Sequence, residues 1–224
     1  MYTTVMPAHE SVPYIGAAIE SVLTQSLPCE RTLIIFNGLG RDFSEAMKHV
    51  SPYRSAVEVH IIEESGQSAA IAWGIKLSTS KYIAFLDTDD LWLPDKQQSQ
   101  IRTLSENPQF DAVAGAVTNF KLNDDGDPVL GKSAKARVFG ATTFRDTAFE
   151  KYGSPSVEDS QFEWLYRWWT EATAQGIHWS FLEQEVLRRR IHSNNSWVLN
   201  STKGSATLMK ELRRLSGIAR STQT

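Results

Sequence analysis

KYIAFLDTDDLWLPDK, residues 81–96, combines a short apolar run with a cluster of acids directly after it. Residues 82–86 are almost all apolar, which is typical of a strand buried on both faces of a sheet. Asp87, Asp89 and Asp90 then follow at the position where open α/β sheets bind ligands, outside the carboxyl end of a strand. Carboxylates there suit a hard divalent cation and substrate phosphates. The alternative is an acidic turn that ends the strand and caps the next helix.

The chain before this stretch alternates between strand and helix patterns. Strands are predicted at Tyr2–Met6, Thr32–Phe36 and Val57–Ile62. Helices are predicted at Tyr14–Thr24, Phe43–Val50 and Ser68–Leu77. Such alternation indicates βαβ units and a parallel sheet, so we expect an α/β fold.

The chain after this stretch is less regular. Strands are predicted at Ala112–Val117, Trp179–Glu183 and Val186–Ile191. The polar residues 121–137 are rich in turn formers and are predicted to form a mobile loop, with a passive surface loop as the alternative. A helix is predicted at Ser156–Ala174, capped by Ser156. Its expected buried stripe consists of Leu165, Trp168, Trp169 and Ala172.

Residues 203–220 predict a basic helix, in which Glu211 is outnumbered by cations. The cations are Lys203, Lys210, Arg213, Arg214 and Arg220. One interpretation is peripheral contact with an anionic membrane surface. The other is a solvated helix that packs on the domain through a narrow leucine stripe.

Length, charge, cysteine content and apolar runs exclude several classes of protein. The chain has 224 residues and a formal net charge of -3, which gives no sign of nucleic-acid binding. Its single cysteine, Cys29, excludes an internal disulfide framework and fits a reducing compartment. No apolar run reaches the roughly 18 residues of a membrane span, and the N-terminus has no secretory-signal pattern. We therefore expect a cytoplasmic protein, with the inner face of the membrane as a peripheral site.

Several segments together resemble the family 2, inverting glycosyltransferases, which have the GT-A fold. VMPAHESVPYIGAAIESVLTQS (5–26) resembles the family's opening strand, loop and helix, and GQSAAIAWGIKLSTSKYIAFLDTDDLWLP (66–94) resembles its central block. FGATTFRDTAFEKYG (139–153), VEDSQFEWLYRW (157–168) and LRRRIHSNNS (187–196) resemble its later segments in the same order. The resemblance implies one GT-A-like domain over residues 1–200, with a mixed, mainly parallel sheet flanked by helices, and a basic tail over 201–224.

The same resemblance implies a metal-dependent transfer of a sugar, with inversion, from a nucleotide diphosphate sugar to a hydroxyl. The acceptor is left open among a glycan, a lipid-linked molecule and a peptide, and the oligomeric state is not indicated. Asp87 and Asp89 look like the family's DxD pair, with Asp90 as an alternative, and His192 as a further ligand of Mn²⁺ or Mg²⁺. Asp159 matches the position of the base that takes the acceptor proton, with Glu158 as its neighbour. A plain helix cap is the other interpretation of this acidic pair.

The implied nucleotide-sugar site draws on several loops. Its candidate residues are Pro7, Ala8, Glu10, Asn37, Gly66, Gln67, Asp87 and Arg190. The arginine run suits a diphosphate, and strand alternation allows at most Arg188, Arg190 and His192 to share a face, with Arg189 pointing elsewhere. Trp164, Tyr166 and Trp92 are candidates for stacking on a sugar, although aromatic residues at helical spacing are more often core.

The residues that are expected to contact the nucleotide depart from the family pattern. Phe36 and Asn37 replace an acidic pair, and Glu10 replaces an asparagine. Ile71 and Ala72 stand where the family usually has Arg and Asn. These changes motivate a second hypothesis, a pseudoenzyme that binds a nucleotide sugar with weak turnover or none.

Overall fold

The computed structural model describes residues 1–8, 14–37, 43–155 and 163–192. The first compact unit is Met1–Arg190, and the second is Ile191–Thr224, of which Ile191 and His192 are described. The predicted boundary at residue 200 lies outside the described residues. Within those ranges, no helix is both long enough and apolar enough to cross a membrane.

The elements alternate as predicted through β4 and then become irregular. The strands are β1 (Tyr2–Ala8), β2 (Arg31–Asn37), β3 (Glu58–Ile62), β4 (Tyr82–Phe85), β5 (Leu91–Trp92), β6 (Ala112–Leu122), β7 (Pro128–Lys135), β8 (Thr142–Arg145) and β9 (Trp179–Arg190). The helices are α1 (Ile15–Leu23), α2 (Phe43–Val50), α3 (Gln67–Leu77), α4 (Lys96–Glu106), α5 (Thr147–Tyr152) and α6 (Glu163–Ala174). Short 3₁₀ turns lie at Ser51–Tyr53 and Phe139–Ala141.

All nine strands of the described residues belong to one mixed sheet. Its order is β3-β2-β1-β4-β8-β6-β9-β5, and β7 pairs with β6 beside this path. Strands β1, β2, β3, β4, β6 and β9 run in one direction, whereas β5, β7 and β8 run in the other. The predicted mixed, mainly parallel sheet is therefore confirmed. The carboxyl ends of β1, β2 and β4 lie side by side at one edge of the sheet.

Two apolar cores cover the two faces of the sheet. Because side chains alternate along a strand, Val5 lies in one core and Met6 in the other. The core that contains Met6 includes Ile19 of α1, and the core that contains Val5 includes Ile71 of α3 and Trp168 of α6. The flanking helices thus bury both faces, which accounts for the continuous apolar sequences of β1, β2 and β4.

The predicted mobile loop at residues 121–137 is wrong for most of its length. Strand β7 occupies Pro128–Lys135 and forms an antiparallel hairpin with an extended β6. The turn is fixed by Asn123, whose Oδ1 accepts hydrogen bonds from the backbone N–H groups of Asp125 (3.1 Å) and Asp127 (2.7 Å). All eight residues of β7 are exposed. Backbone pairing, rather than burial of side chains, therefore stabilises this strand, and its sequence does not show the alternation of apolar and polar residues that would predict a strand.

The two strands predicted at 179–183 and 186–191 are one continuous strand, β9. Its register against β6 shifts beyond Gly115, because Leu182 pairs with Gly115 whereas Glu185 pairs with Ala116. The irregular residues between these two pairs explain why the sequence pattern is interrupted there. On α6, the predicted buried stripe is confirmed for Trp168, Trp169 and Ala172, while Leu165 is partly buried.

A glycine allows α3 to approach β1 closely. A Cβ atom at Gly74 would lie 2.2 Å from Cγ1 of Val5, well inside van der Waals contact. We expect Gly74→Ala to lower the free energy of unfolding by about 1–3 kcal/mol, because the helix must move away from the sheet. Chemical denaturation of the purified variant measures this change.

Gly16→Ala is the matched control, because Gly16 is also helical and the nearest neighbour of its added Cβ is the His49 carbonyl oxygen at 3.9 Å. This variant should gain up to about 1 kcal/mol from the better helix propensity of alanine. A Gly74→Ala protein as stable as the control would show that the contact between α3 and β1 is looser than described.

Candidate active site

The predicted acid cluster, Asp87, Asp89 and Asp90, forms a tight turn at the end of β4, which we call the acid turn. Leu86 extends the ladder by donating its N–H to the Val5 carbonyl at 3.1 Å, and Asp90 N–H closes the turn on the Asp87 carbonyl at 3.1 Å. One carboxylate oxygen from each of Asp87, Asp89 and Asp90 lies within 4.8 Å of the others. Three hard oxygen donors at this spacing fit a divalent cation.

The N-terminal end of α3 supports one side of the acid turn. Gly66 precedes the helix with a φ of 105°, a conformation that a residue with a side chain rarely adopts. This places Gln67 so that its Nε2 donates to Oδ1 of Asp87 at 2.5 Å. Gly66 and Gln67 were predicted as nucleotide-sugar contacts. The structure places Gln67 beside the acids, and the contact with a nucleotide sugar stays a prediction.

Arg190 ties the end of β9 to the other side of the turn. Its backbone N–H donates to Oδ1 of Asp90 at 2.9 Å, and its Nε donates to the Asp89 carbonyl at 3.0 Å. The guanidinium carbon lies 4.4 Å from the ring centroid of Tyr14 and 4.6 Å from that of Phe120. The buried guanidinium is thus fixed between two rings. Asp90 is an anchor of the turn through this bond, in addition to being a candidate ligand.

Burial and neighbouring carboxylates raise the pKa values of Asp87 and Asp90. Burial, together with the charge of Asp89, raises the pKa of Asp87 from its ordinary 3.8 to about 6. Burial and the two neighbouring carboxylates also raise the pKa of Asp90 well above its ordinary value. The positive charge of Arg189 opposes both shifts. The prediction that Arg189 points away from Arg188 and Arg190 stays a prediction, although its charge acts on both acids from the end of β9.

The nucleotide end of the predicted site lies at the ends of β1 and β2. Ala8 pairs with Phe36 in this ladder, so Pro7, Ala8 and Asn37 lie at neighbouring strand ends. Phe36 is 2% exposed and packs edge-on against Phe43. Ile71, 1% exposed, belongs to the second apolar core. These two departures from the family pattern therefore contribute packing, while contacts of Pro7, Ala8 and Asn37 with a nucleotide stay predictions.

Two of the aromatic candidates for sugar stacking are buried, so these predictions are wrong. Trp164 is 3% exposed and meets Phe139 edge-on at 4.9 Å between centroids. Trp92 is 4% exposed and donates its Nε1–H to the Gly140 carbonyl at 2.8 Å. Large aromatic side chains bury more apolar area than any other type, which favours the core over the surface. Tyr166, 48% exposed on α6, stays a candidate.

Sequence reasoning missed a buried polar network behind the acid turn. Lys96 is fully buried, and its Nζ donates to Oε1 of Gln100 at 2.8 Å and to Oγ1 of Thr143 at 3.2 Å. The same Nζ lies 4.3 Å from the Trp92 ring centroid. Burial lowers the pKa of Lys96 well below its ordinary value. Helix α4 begins with polar residues, which is typical of a helix on the surface, so the sequence does not indicate that Lys96 is buried.

Several predicted residues are not placed by the described part of the chain. Asp159, Glu158, Glu10 and the basic segment 203–220 lie outside the described residues. His192 is half-buried and belongs to the second unit. Their roles as base, partner of the base, nucleotide contact, membrane contact and metal ligand therefore stay predictions, as does the cytoplasmic location.

The mixed α/β sheet with an acid turn at its carboxyl edge defines a GT-A type transferase fold. The model of the family described as "Glycosyl transferase family 2" matches residues 3–165, and the chain belongs to this family. The predicted family is therefore confirmed. A truncated form of TarS from S. aureus, solved in complex with UDP-GlcNAc, has a similar fold, with a TM-score of 0.66 and 14% identity over 87% of this chain and 59% of that one.

Curated relatives are similar over different shares of their length. The putative teichuronic acid biosynthesis glycosyltransferase TuaG of Bacillus subtilis is 24% identical over 96% of this chain and 89% of its own. An uncharacterized glycosyltransferase of Rickettsia felis is 34% identical over 63% of this chain and 23% of its own. The chain spans only 15–23% of the length of three of its Rickettsia relatives.

We expect Asp89→Asn to lower the pKa of Asp87 below about 6 in the metal-free protein, because it removes a neighbouring negative charge. Burial should keep that pKa above 3.8. Between these two pH values the Asp87 carboxyl of the unaltered protein binds more protons in the folded state than in the unfolded state, so its contribution to stability falls as pH rises through this window. Asp89→Asn should narrow this pH range, because the folded-state pKa of Asp87 moves toward 3.8. A ¹³C NMR titration of the carboxyl groups measures that pKa.

Asp95→Asn is the control, since Asp95 is exposed and follows the turn. It should leave the titration of Asp87 unchanged. An Asp87 pKa that stays at about 6 in Asp89→Asn would contradict the described closeness of the two carboxylates.

Proposed function

We propose that this chain transfers a sugar from a nucleotide diphosphate sugar to an acceptor hydroxyl, with inversion at the anomeric carbon. The acid turn is the observation that carries the proposal. It gathers three carboxylates at the carboxyl edge of the sheet, where α/β folds bind ligands, in a chain that belongs to glycosyl transferase family 2. Complexes of a protein of similar fold with UDP and with UDP-GlcNAc support the choice of donor.

Burial, together with the neighbouring carboxylates, raises the pKa values of Asp87 and Asp90, so a bound cation would favour their charged forms. Asp87 and Asp89 would hold a divalent cation, Mn²⁺ or Mg²⁺, and Asp90 keeps the turn in place through its bond to Arg190. When bound, such a cation stabilises the charge that develops on the leaving diphosphate. Arg189 adds a fixed positive charge near the same acids.

The acceptor hydroxyl needs a base on the opposite side of the reacting carbon. We assign this role to Asp159, with Glu158 beside it, on the resemblance of VEDSQFEWLYRW to the family segment. A single displacement with such a base inverts the anomeric centre. Positioning donor and acceptor together supplies a further part of the rate enhancement.

A second candidate function is binding of a nucleotide sugar with weak turnover or none. The observation that favours it is the burial of Ile71 and Phe36, because both positions contribute apolar packing where the family pattern has polar groups. The two candidates differ in turnover and share the acid turn.

We expect Asp159→Asn to lower turnover by about 10²–10⁴-fold, because the acceptor loses its general base, while nucleotide affinity is retained. The assay follows release of nucleoside diphosphate with Mn²⁺ from a panel of nucleotide sugars that includes UDP-GlcNAc. It is run with and without a hydroxyl acceptor.

Glu171→Gln is the matched control, because Glu171 is an exposed acid of α6. Undiminished turnover in Asp159→Asn would remove Asp159 from the mechanism. Tight nucleotide binding without release from any donor would favour the pseudoenzyme.

A further inference from the structure

The β6–β7 hairpin carries an apolar strip that is buried at one end and exposed along the rest. Phe120 and Leu122 lie on one face of β6, because residues two apart in a strand share a face. Leu130 is the cross-strand partner of Phe120, and Pro128 is that of Leu122, so both lie on the same face. We call these four residues the apolar strip. Its two leucines are each 48% exposed.

The apolar strip begins next to the acid turn. Phe120 pairs with Arg190 in the ladder between β6 and β9, and the Arg190 guanidinium lies against the Phe120 ring at 4.6 Å. Arg190 also bonds the backbone of Asp89 and the carboxylate of Asp90. Strand β6 runs in the same direction as β4, so its continuation past Phe120 extends beyond the edge of the sheet that carries the acids.

We propose that the apolar strip binds an aliphatic chain of the acceptor substrate. The inference rests on the proposed function, because it takes the acid turn as the donor end of the site. The acceptor is then an amphiphile, with its hydroxyl beside the acid turn and its chain along Leu122, Pro128 and Leu130. These exposed side chains offer no hydrogen-bonding group, and what they can contribute is apolar area removed from water.

Other occupants fit the strip less well. The hairpin carries three acids and three lysines, so it has no net positive charge that would attract an anionic membrane surface. The acids are Asp124, Asp125 and Asp127, and the lysines are Lys121, Lys132 and Lys135. A stable interface with a second copy buries roughly 800 Å² on each partner, far more than two half-exposed leucines and a proline offer. Stacking on a sugar ring needs an exposed aromatic face, and Phe120 is only 4% exposed.

The test compares octyl glucoside with methyl glucoside, which share a sugar and differ in the alkyl chain. The full chain is titrated with each probe below the micelle concentration of octyl glucoside, and binding is followed by NMR of the leucine and valine methyl groups. We expect octyl glucoside to bind the unaltered chain at least about tenfold more tightly, because only its alkyl chain covers the strip. Leu122→Gln together with Leu130→Gln should remove this preference.

Val129→Gln is the matched control, because Val129 is 45% exposed on the same hairpin and faces the opposite side. It should leave the preference unchanged. Equal binding of the two glucosides, or an equal loss in the control, overturns the proposal. A dimer in light scattering that the double variant converts to a monomer assigns the strip to a second copy and also overturns it.

Nucleotide binding with Mn²⁺ is measured separately on the unaltered chain. Its absence contradicts the proposed function, whereas the glucoside comparison decides the role of the strip.

Discussion

Repulsion among the carboxylates at the end of β4 is the constraint on which this site depends. Three acids within 4.8 Å of one another are costly to bury, and hydrogen bonds from other parts of the fold offset some of that cost. Gln67 arrives from the start of α3 and Arg190 from the end of β9, each with a hydrogen bond to the turn. The acid turn therefore stays in place only if helix α3 and the last strand both reach the same edge of the sheet.

Arg190 connects the two sides of the proposed site. Its backbone and side chain bond the acid turn, and its guanidinium contacts Tyr14 from the first helical segment and Phe120 from the β6–β7 hairpin. A single buried arginine thus contacts both the candidate cation site and the strip that we assign to the acceptor, and it fixes their relative position. Its long reach and planar cation allow it to make both kinds of contact at once.

The first half of the fold was predictable because burial and periodicity act locally there. Strands β1, β2 and β4 are covered on both faces, so their apolar runs identify them, and the acids after β4 mark the ligand edge. Strand β7 was not predictable, because its stability comes from pairing with β6 while every side chain remains exposed. The burial of Trp92 and Lys96 likewise depends on partners such as Gly140 and Thr143 that are distant in the sequence.

The central claim is that the acid turn binds a divalent cation and a nucleoside diphosphate together. Calorimetric titration with UDP, in the presence and absence of Mn²⁺, tests it on the unaltered chain, on Asp89→Asn and on Asp95→Asn. We expect Mn²⁺ to strengthen UDP binding by at least tenfold, which is about 1.4 kcal/mol of coupling. This coupling should disappear in Asp89→Asn and persist in Asp95→Asn. Equal UDP affinity with and without Mn²⁺, or coupling that survives in Asp89→Asn, would contradict the account.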